Sequence, residues 1–109
     1  MKYLCVFVAA VLPVAVMANP AHQKISGLSE ADRGAIFSKL LSGGGERCAS
    51  ISRTFYQGAD KQGNAYWNVQ CTGAQAYMIQ ISNNATGSTK VLECALMKKA
   101  NIGTCFKAF

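Results

Sequence analysis

Ala65-Tyr66-Trp67-Asn68-Val69-Gln70-Cys71 alternates apolar and polar side chains with a period of two, the pattern of a strand with one face in a core. Thr72 and Gly73 break it. Working outward, three more segments show the same alternation: Ala49 to Tyr56, Tyr77 to Ser82 and Lys90 to Met97. The links between them carry turn chemistry, with Gly58, Asp60, Gly63 and Asn64 before the quoted stretch and Asn83, Asn84, Gly87 and Ser88 before the last segment. Four short strands joined by tight turns predict an antiparallel meander. Upstream the period changes: Ile36, Phe37, Leu40 and Leu41 lie on one helical face, with Ser29 placed to cap its start and Glu30 and Asp32 in the first turn, where the helix dipole favours negative charge. Gly43-Gly44-Gly45 ends that helix and forms a hinge. A phosphate-binding loop would instead open a helix and carry a lysine, so the glycines predict no nucleotide site. The expected fold class is α+β, one N-terminal helix packed on a four-stranded antiparallel meander.

One sheet face must meet the helix, and strand parity decides which residues do so. Ile51, Phe55, Trp67, Val69, Cys71, Ile79, Ile81, Leu92, Cys94 and Leu96 form the expected buried set. The matching register places Phe55 opposite Trp67, Val69 opposite Ile79, and Ile79 opposite Cys94. Arg53 has inward parity, which predicts a bulge or a snorkelling side chain there.

The chain starts with Lys2 and an apolar run from Tyr3 to Met17, and Val16-Met17-Ala18 supplies the small residues a signal peptidase reads. Residues 1–18 are therefore expected to be a signal peptide cleaved after Ala18. The run is shorter than the ~20 apolar residues of a spanning helix and contains Pro13. Residues 19–27 read as a flexible leader and 28–109 as a single domain, with a periplasmic or secreted location. Cys5 leaves with the signal. Removing Lys2 from a chain of net charge +6 leaves ten Lys and Arg against five Asp and Glu, or +5. Those cations are scattered, with only Lys98 and Lys99 adjacent, whereas a nucleic-acid binder concentrates them along a stripe. Nucleic acid is accordingly disfavoured as a partner.

Cys48, Cys71, Cys94 and Cys105 remain after cleavage, an even set in an oxidising setting. Their closest spacing is too wide for the paired ligands of a zinc site. Two disulfides are expected, and four cysteines allow three pairings. A disulfide needs Cα atoms within about 7 Å, while strands two apart in a sheet lie roughly 10 Å apart. This favours Cys48 with Cys71 and Cys94 with Cys105, the other pairings staying open.

Catalytic candidates are few. His22, the one histidine, falls in the leader, so no serine or cysteine hydrolase triad can use it. Of the acids, Glu30 and Asp32 are placed at the helix start and Asp60 in a turn; Glu46 and Glu93 read as surface ion-pairing groups. No catalytic, cofactor-binding or metal residues are expected, and no cofactor. Asn84-Ala85-Thr86 matches a glycan acceptor, which has meaning only in a eukaryotic secretory pathway, while the short leader points to a bacterial envelope. Parity places Tyr56, Tyr66 and Met78, with Asn68, Gln70 and Gln80, on the sheet face away from the helix. That face is the possible binding surface, because tyrosine joins apolar area to a polar tip.

At Trp67-Asn68-Val69-Gln70-Cys71-Thr72-Gly73, then Tyr77 and Val91-Leu92-Glu93-Cys94, the chain resembles small uncharacterised exported proteins of Gram-negative bacteria that share a tryptophan-x-valine-x-cysteine strand. The likeness covers about the last sixty residues and carries no activity with it. In outline, a helix followed by a meander is also similar to repeats of beta-lactamase inhibitory proteins and to small outer-membrane assembly lipoproteins, a likeness of architecture alone. These readings lead to a non-enzymatic binding or accessory protein of the envelope, partnered with another envelope or secreted protein. The alternatives are a cationic effector that attaches to anionic envelope surfaces or nucleic acid, and a small enzyme with a pocket near Glu46, Arg53 or Glu93.

Overall fold

The structure, a computed structural model, describes residues 19–109; the expected signal peptide, Met1 to Ala18 with Cys5, lies outside the described residues. The elements run α1 (Pro20–Ser26), α2 (Glu30–Gly43), β1 (Ile51–Ala59), β2 (Ala65–Cys71), β3 (Ala76–Ile81), β4 (Thr89–Glu93) and α3 (Cys94–Lys99). The strands form one antiparallel sheet in the order β1-β2-β3-β4, the predicted meander. Helix α2 starts as its sequence dictates, the Ser29 hydroxyl accepting from the Asp32 N–H at 3.1 Å, and it ends on Gly44. Phe37 and Leu41 are buried and Leu40 is packed beside them, while Ile36 stays exposed. They meet Ala65, Trp67, Val69, Cys71, Tyr77, Ile79 and Ile81 in one core.

Order begins at Asn19, not at Leu28: the expected flexible leader folds as α1 and packs on the core through Ala21 and Ile25. Polar anchoring, invisible to apolar periodicity, is the reason. Asn19 is buried, its amide nitrogen donating to the Gly63 and Ile81 carbonyls at 2.9 and 3.0 Å, its Oδ1 accepting from His22 N–H, and its backbone N–H donating to Asn83 Oδ1 at 2.8 Å. Pro20 then opens the helix with φ already set. Seven residues cannot hold a helix by themselves in water, so α1 exists by docking.

The register differs from expectation by one device. A bulge between Ile51 and Arg53 turns Arg53 away from the core, as its misfit parity predicts, but it also flips every residue after it. Thr54 and Tyr56 therefore join the α1/α2 face and Phe55 leaves it: Tyr56, not Phe55, pairs with Trp67, and Phe55 pairs with Asn68. On β3 the parity holds but the pairing moves by two, with Trp67 opposite Ile79 and Val69 opposite Tyr77. Ile79 pairs with Val91 and not with Cys94, so Val91 packs on the core while Leu92 pairs with Met78 on the other face.

The last predicted strand stops at Glu93. Ala95-Leu96-Met97-Lys98-Lys99-Ala100 contains only good helix formers and no β-branched residue, and it becomes α3. Leu96 is consequently exposed and Met97 buried. Asn101, with φ 60°, closes α3 in the left-handed conformation. Both favoured disulfides are present: Cys48–Cys71 with Cα atoms 5.3 Å apart, and Cys94–Cys105 at 5.8 Å.

Candidate functional site

The three residues expected on one outward surface do not share a face. Tyr56 lies on the α1/α2 side for the reason just given, while Tyr66 and Met78 keep the opposite face, both half-buried. The Tyr66 hydroxyl donates to Asp60 Oδ2 at 2.8 Å. Burial and then this carboxylate push the phenol up to about 12. Burial raises the Asp60 carboxyl, but donation from Tyr66, from the Asn64 side chain and from the Asn64 and Gln62 amides outweighs it and holds the group below the usual range.

The face expected to meet a partner is instead covered by the chain's own C-terminal segment. Asn68, fully buried, accepts from the Phe106 N–H at 2.6 Å and donates to Gln57 Oε1 at 3.0 Å. Gln57, also buried, donates from its amide nitrogen to the Thr104 and Lys107 carbonyls at 2.9 and 3.1 Å, and its backbone carbonyl accepts from Phe109 N–H at 3.0 Å. Phe106 packs on Phe55 and under the Arg53 guanidinium, 4.1 Å from the ring centre. Phe109 meets Tyr66 edge-on at 5.4 Å. Gly58 allows this approach, since a Cβ there would lie 2.8 Å from the Phe109 ring. The Cys94–Cys105 bond closes the segment, and Met97 Sδ rests 3.8 Å from Cys105 Sγ beneath it.

This lobe has a distinct surface. Ile102 and Phe109 are 63% and 70% exposed and border one shallow cavity of about 230 Å³ with Lys107 and Ala108; Leu96 is 48% exposed on α3. Between Cys94 and Phe109 the sequence has Lys98, Lys99 and Lys107 and no acidic residue.

On the other face His22, expected in a solvated tail, is built in. Its Nδ1 accepts from Trp67 Nε1–H at 3.0 Å, and its ring stacks on Tyr56 with centroids 4.8 Å apart. Burial lowers its pKa below the ordinary value. Arg33 lies over the same indole, 4.8 Å from its centre, and donates to the carbonyls of Ile25, Ser26 and Leu28, tying the end of α1 to α2. Glu30 is not only a helix-start charge. Burial raises its carboxyl, but donors from Thr54, the N–H and the hydroxyl both at 2.7 Å, together with Arg33 pull it below the usual range. Its position also occupies an edge amide of β1 that another strand could use.

Glu46 and Glu93 line an open cavity of about 360 Å³ with Arg47 and Tyr77; Arg53 is elsewhere, on the lobe side. Burial, then Glu46, raises the Tyr77 phenol, whose hydroxyl donates to the Arg47 carbonyl at 3.2 Å, so the group stays protonated at neutral pH. Among the described residues no three His, Cys, Asp or Glu side chains gather to hold a metal ion. Asn84 and Thr86 occupy an exposed turn, with Asn84 Oδ1 accepting from Gly87 N–H and from the Thr86 hydroxyl.

The chain matches no protein-family model, no curated protein and no solved structure among those compared. Sequence reasoning missed the lobe because its last strand was extended through α3. The signal was the loss of β-branched residues after Val91 together with eleven-residue cysteine spacing, which forces the chain to turn back.

Proposed function

We propose that the protein is exported and acts as a non-enzymatic accessory protein that attaches to anionic surfaces of the cell envelope through its C-terminal lobe. The observation that carries this reading is the disulfide-closed segment Cys94–Phe109, which leaves Ile102, Phe109 and Leu96 exposed among three lysines with no acid. Apolar side chains that enter the headgroup boundary, ringed by cations drawn to anionic lipid, are the chemistry of an interfacial contact. Two disulfides are compatible with an oxidising compartment, and no helix among the described residues is long and apolar enough to cross a membrane. The non-enzymatic part rests on how fully the reactive groups are engaged: His22 with Trp67, Glu30 with Thr54 and Arg33, Asp60 with Asn64 and Tyr66, and four cysteines in disulfides.

Each lysine near an anionic surface contributes about 1 kcal/mol, so neutralising three should weaken attachment by roughly two orders of magnitude. Co-sedimentation of the oxidised domain with phosphatidylcholine vesicles, with and without phosphatidylglycerol, measures this. Binding should need the anionic lipid and fade as salt rises from about 0.1 to about 1 M, where the screening length falls from ~10 to ~3 Å. Equal retention on neutral vesicles, or by the Lys98→Gln, Lys99→Gln, Lys107→Gln variant, would overturn the proposal.

A further inference from the structure

We infer that α1 is a strap operated by a single proton, which releases it from the sheet when His22 takes that proton at Nδ1. The geometry is specific about where the proton must not be. Nδ1 is the acceptor for Trp67 Nε1–H at 3.0 Å, so the docked imidazole is neutral and carries its hydrogen on Nε2. Protonation at Nδ1 turns that contact into two opposed N–H groups. It also creates a cation beside the indole that already carries Arg33 on its face, 4.8 Å from the ring centre.

The groups around His22 leave it as the titrating one. From α2 come Arg33, a permanent cation, and Glu30, its partner, held below the usual carboxylate range. From β1 comes Tyr56, stacked on the imidazole, and from β2 the non-ionising Trp67; α1 itself adds only Lys24. His22 is the chain's one histidine. Between about pH 7.5 and 5 no other group here changes charge in its ordinary range.

α1 is suited to release because little else holds it. None of its residues is buried; Ala21 and Ile25 are partly covered, and the helix is seven residues long. It is clamped at three points: the Asn19 cap, the Arg33 donors at its C-terminal end, and His22 in its middle. Gly87, with φ 61°, opens the space Ala21 occupies, for a Cβ there would collide with the Ala21 methyl. Losing the central clamp uncovers the indole edge of Trp67 and the stacked face of Tyr56.

The sign of the effect follows from linkage. Docked, His22 binds its proton less readily than at the ordinary 6.5 of a free histidine. The docked state is therefore fully favoured above 6.5, and the released population grows by up to tenfold per pH unit below it, until docked His22 is itself protonated.

The test uses amide hydrogen-exchange protection factors of Gln23, Gly27 and Leu28, whose N–H groups bond within and after α1, together with the Trp67 indole N–H resonance, across pH 7.5 to 5. Wild type should lose α1 protection over the window in which His22 titrates, and the indole resonance should move with it. His22→Gln, whose side-chain carbonyl offers an acceptor that does not titrate, should stay protected throughout. Trp67→Phe keeps an aromatic ring in the core without the indole N–H and should bring the His22 titration back toward its ordinary value. The inference is overturned by the same pH-dependent loss in His22→Gln, by wild-type protection that stays constant while His22 titrates, or by a His22 midpoint above 6.5.

Discussion

Replacing Asn68 by leucine should detach the C-terminal lobe while leaving the sheet intact. Asn68 is fully buried and sits where the lobe meets the sheet: its Oδ1 accepts from Phe106 N–H at 2.6 Å and its Nδ2 donates to Gln57 Oε1 at 3.0 Å. Leucine is close in size, so the change removes hydrogen-bonding capacity more than volume. It leaves one donor and one acceptor buried without partners, each costing about 1–3 kcal/mol. Together they destabilise the docked lobe by at least ~2 kcal/mol, roughly a thirtyfold rise in its open population. The chain can escape that cost by opening the lobe, which remains tethered through Cys94–Cys105. Local and global effects therefore separate. Hydrogen exchange at Phe106 and Phe109 should accelerate at least thirtyfold, while Trp67, the single tryptophan, should report denaturant unfolding of the core with a much smaller change in midpoint. Equal losses at lobe and core, or unchanged exchange at Phe106, would refute the view that this buried amide is the clasp.

Three further outcomes are expected. The Cys48→Ala, Cys71→Ala double variant should lose about 3 kcal/mol in denaturant unfolding, because the bond closes a 23-residue separation; a loss below ~1 kcal/mol would deny that closure entropy supports the core. Absorbance titration should find the Tyr66 phenol ionising near 12, with the fold weakening as pH rises above 10, since the unfolded phenol releases its proton first; Asp60→Asn should move that midpoint down. Gly34→Ala should raise the melting temperature by a few degrees, about 0.5–1 kcal/mol, because the new Cβ meets Ile51 at 3.7 Å, an ordinary contact, in the middle of a helix. A lower melting temperature would show that α2 and β1 cannot share that space.

Local rules were enough for much of this fold. Period-two alternation through Trp67, Val69 and Cys71 specified the central strand, Ser29 and the three glycines bounded α2, and cysteine spacing with strand geometry favoured the two disulfides found. The Arg53 misfit even announced the bulge. Its consequence was not legible: a bulge reverses the parity of all that follows in the strand, so it moved Tyr56 to one face and Phe55 to the other. The candidate surface shifted for the same kind of reason.

What the chain alone determined was therefore the set of elements and their order, since caps, glycines and apolar period act over a few residues. What only the tertiary structure decided was which faces are covered. α1 and the lobe are held mainly by single polar contacts between residues far apart in the chain, Asn19 with Gly63 and Ile81, His22 with Trp67, and Asn68 with Phe106. A hydrogen bond between distant residues leaves no periodicity in sequence, and its partner is known only once the chain has closed.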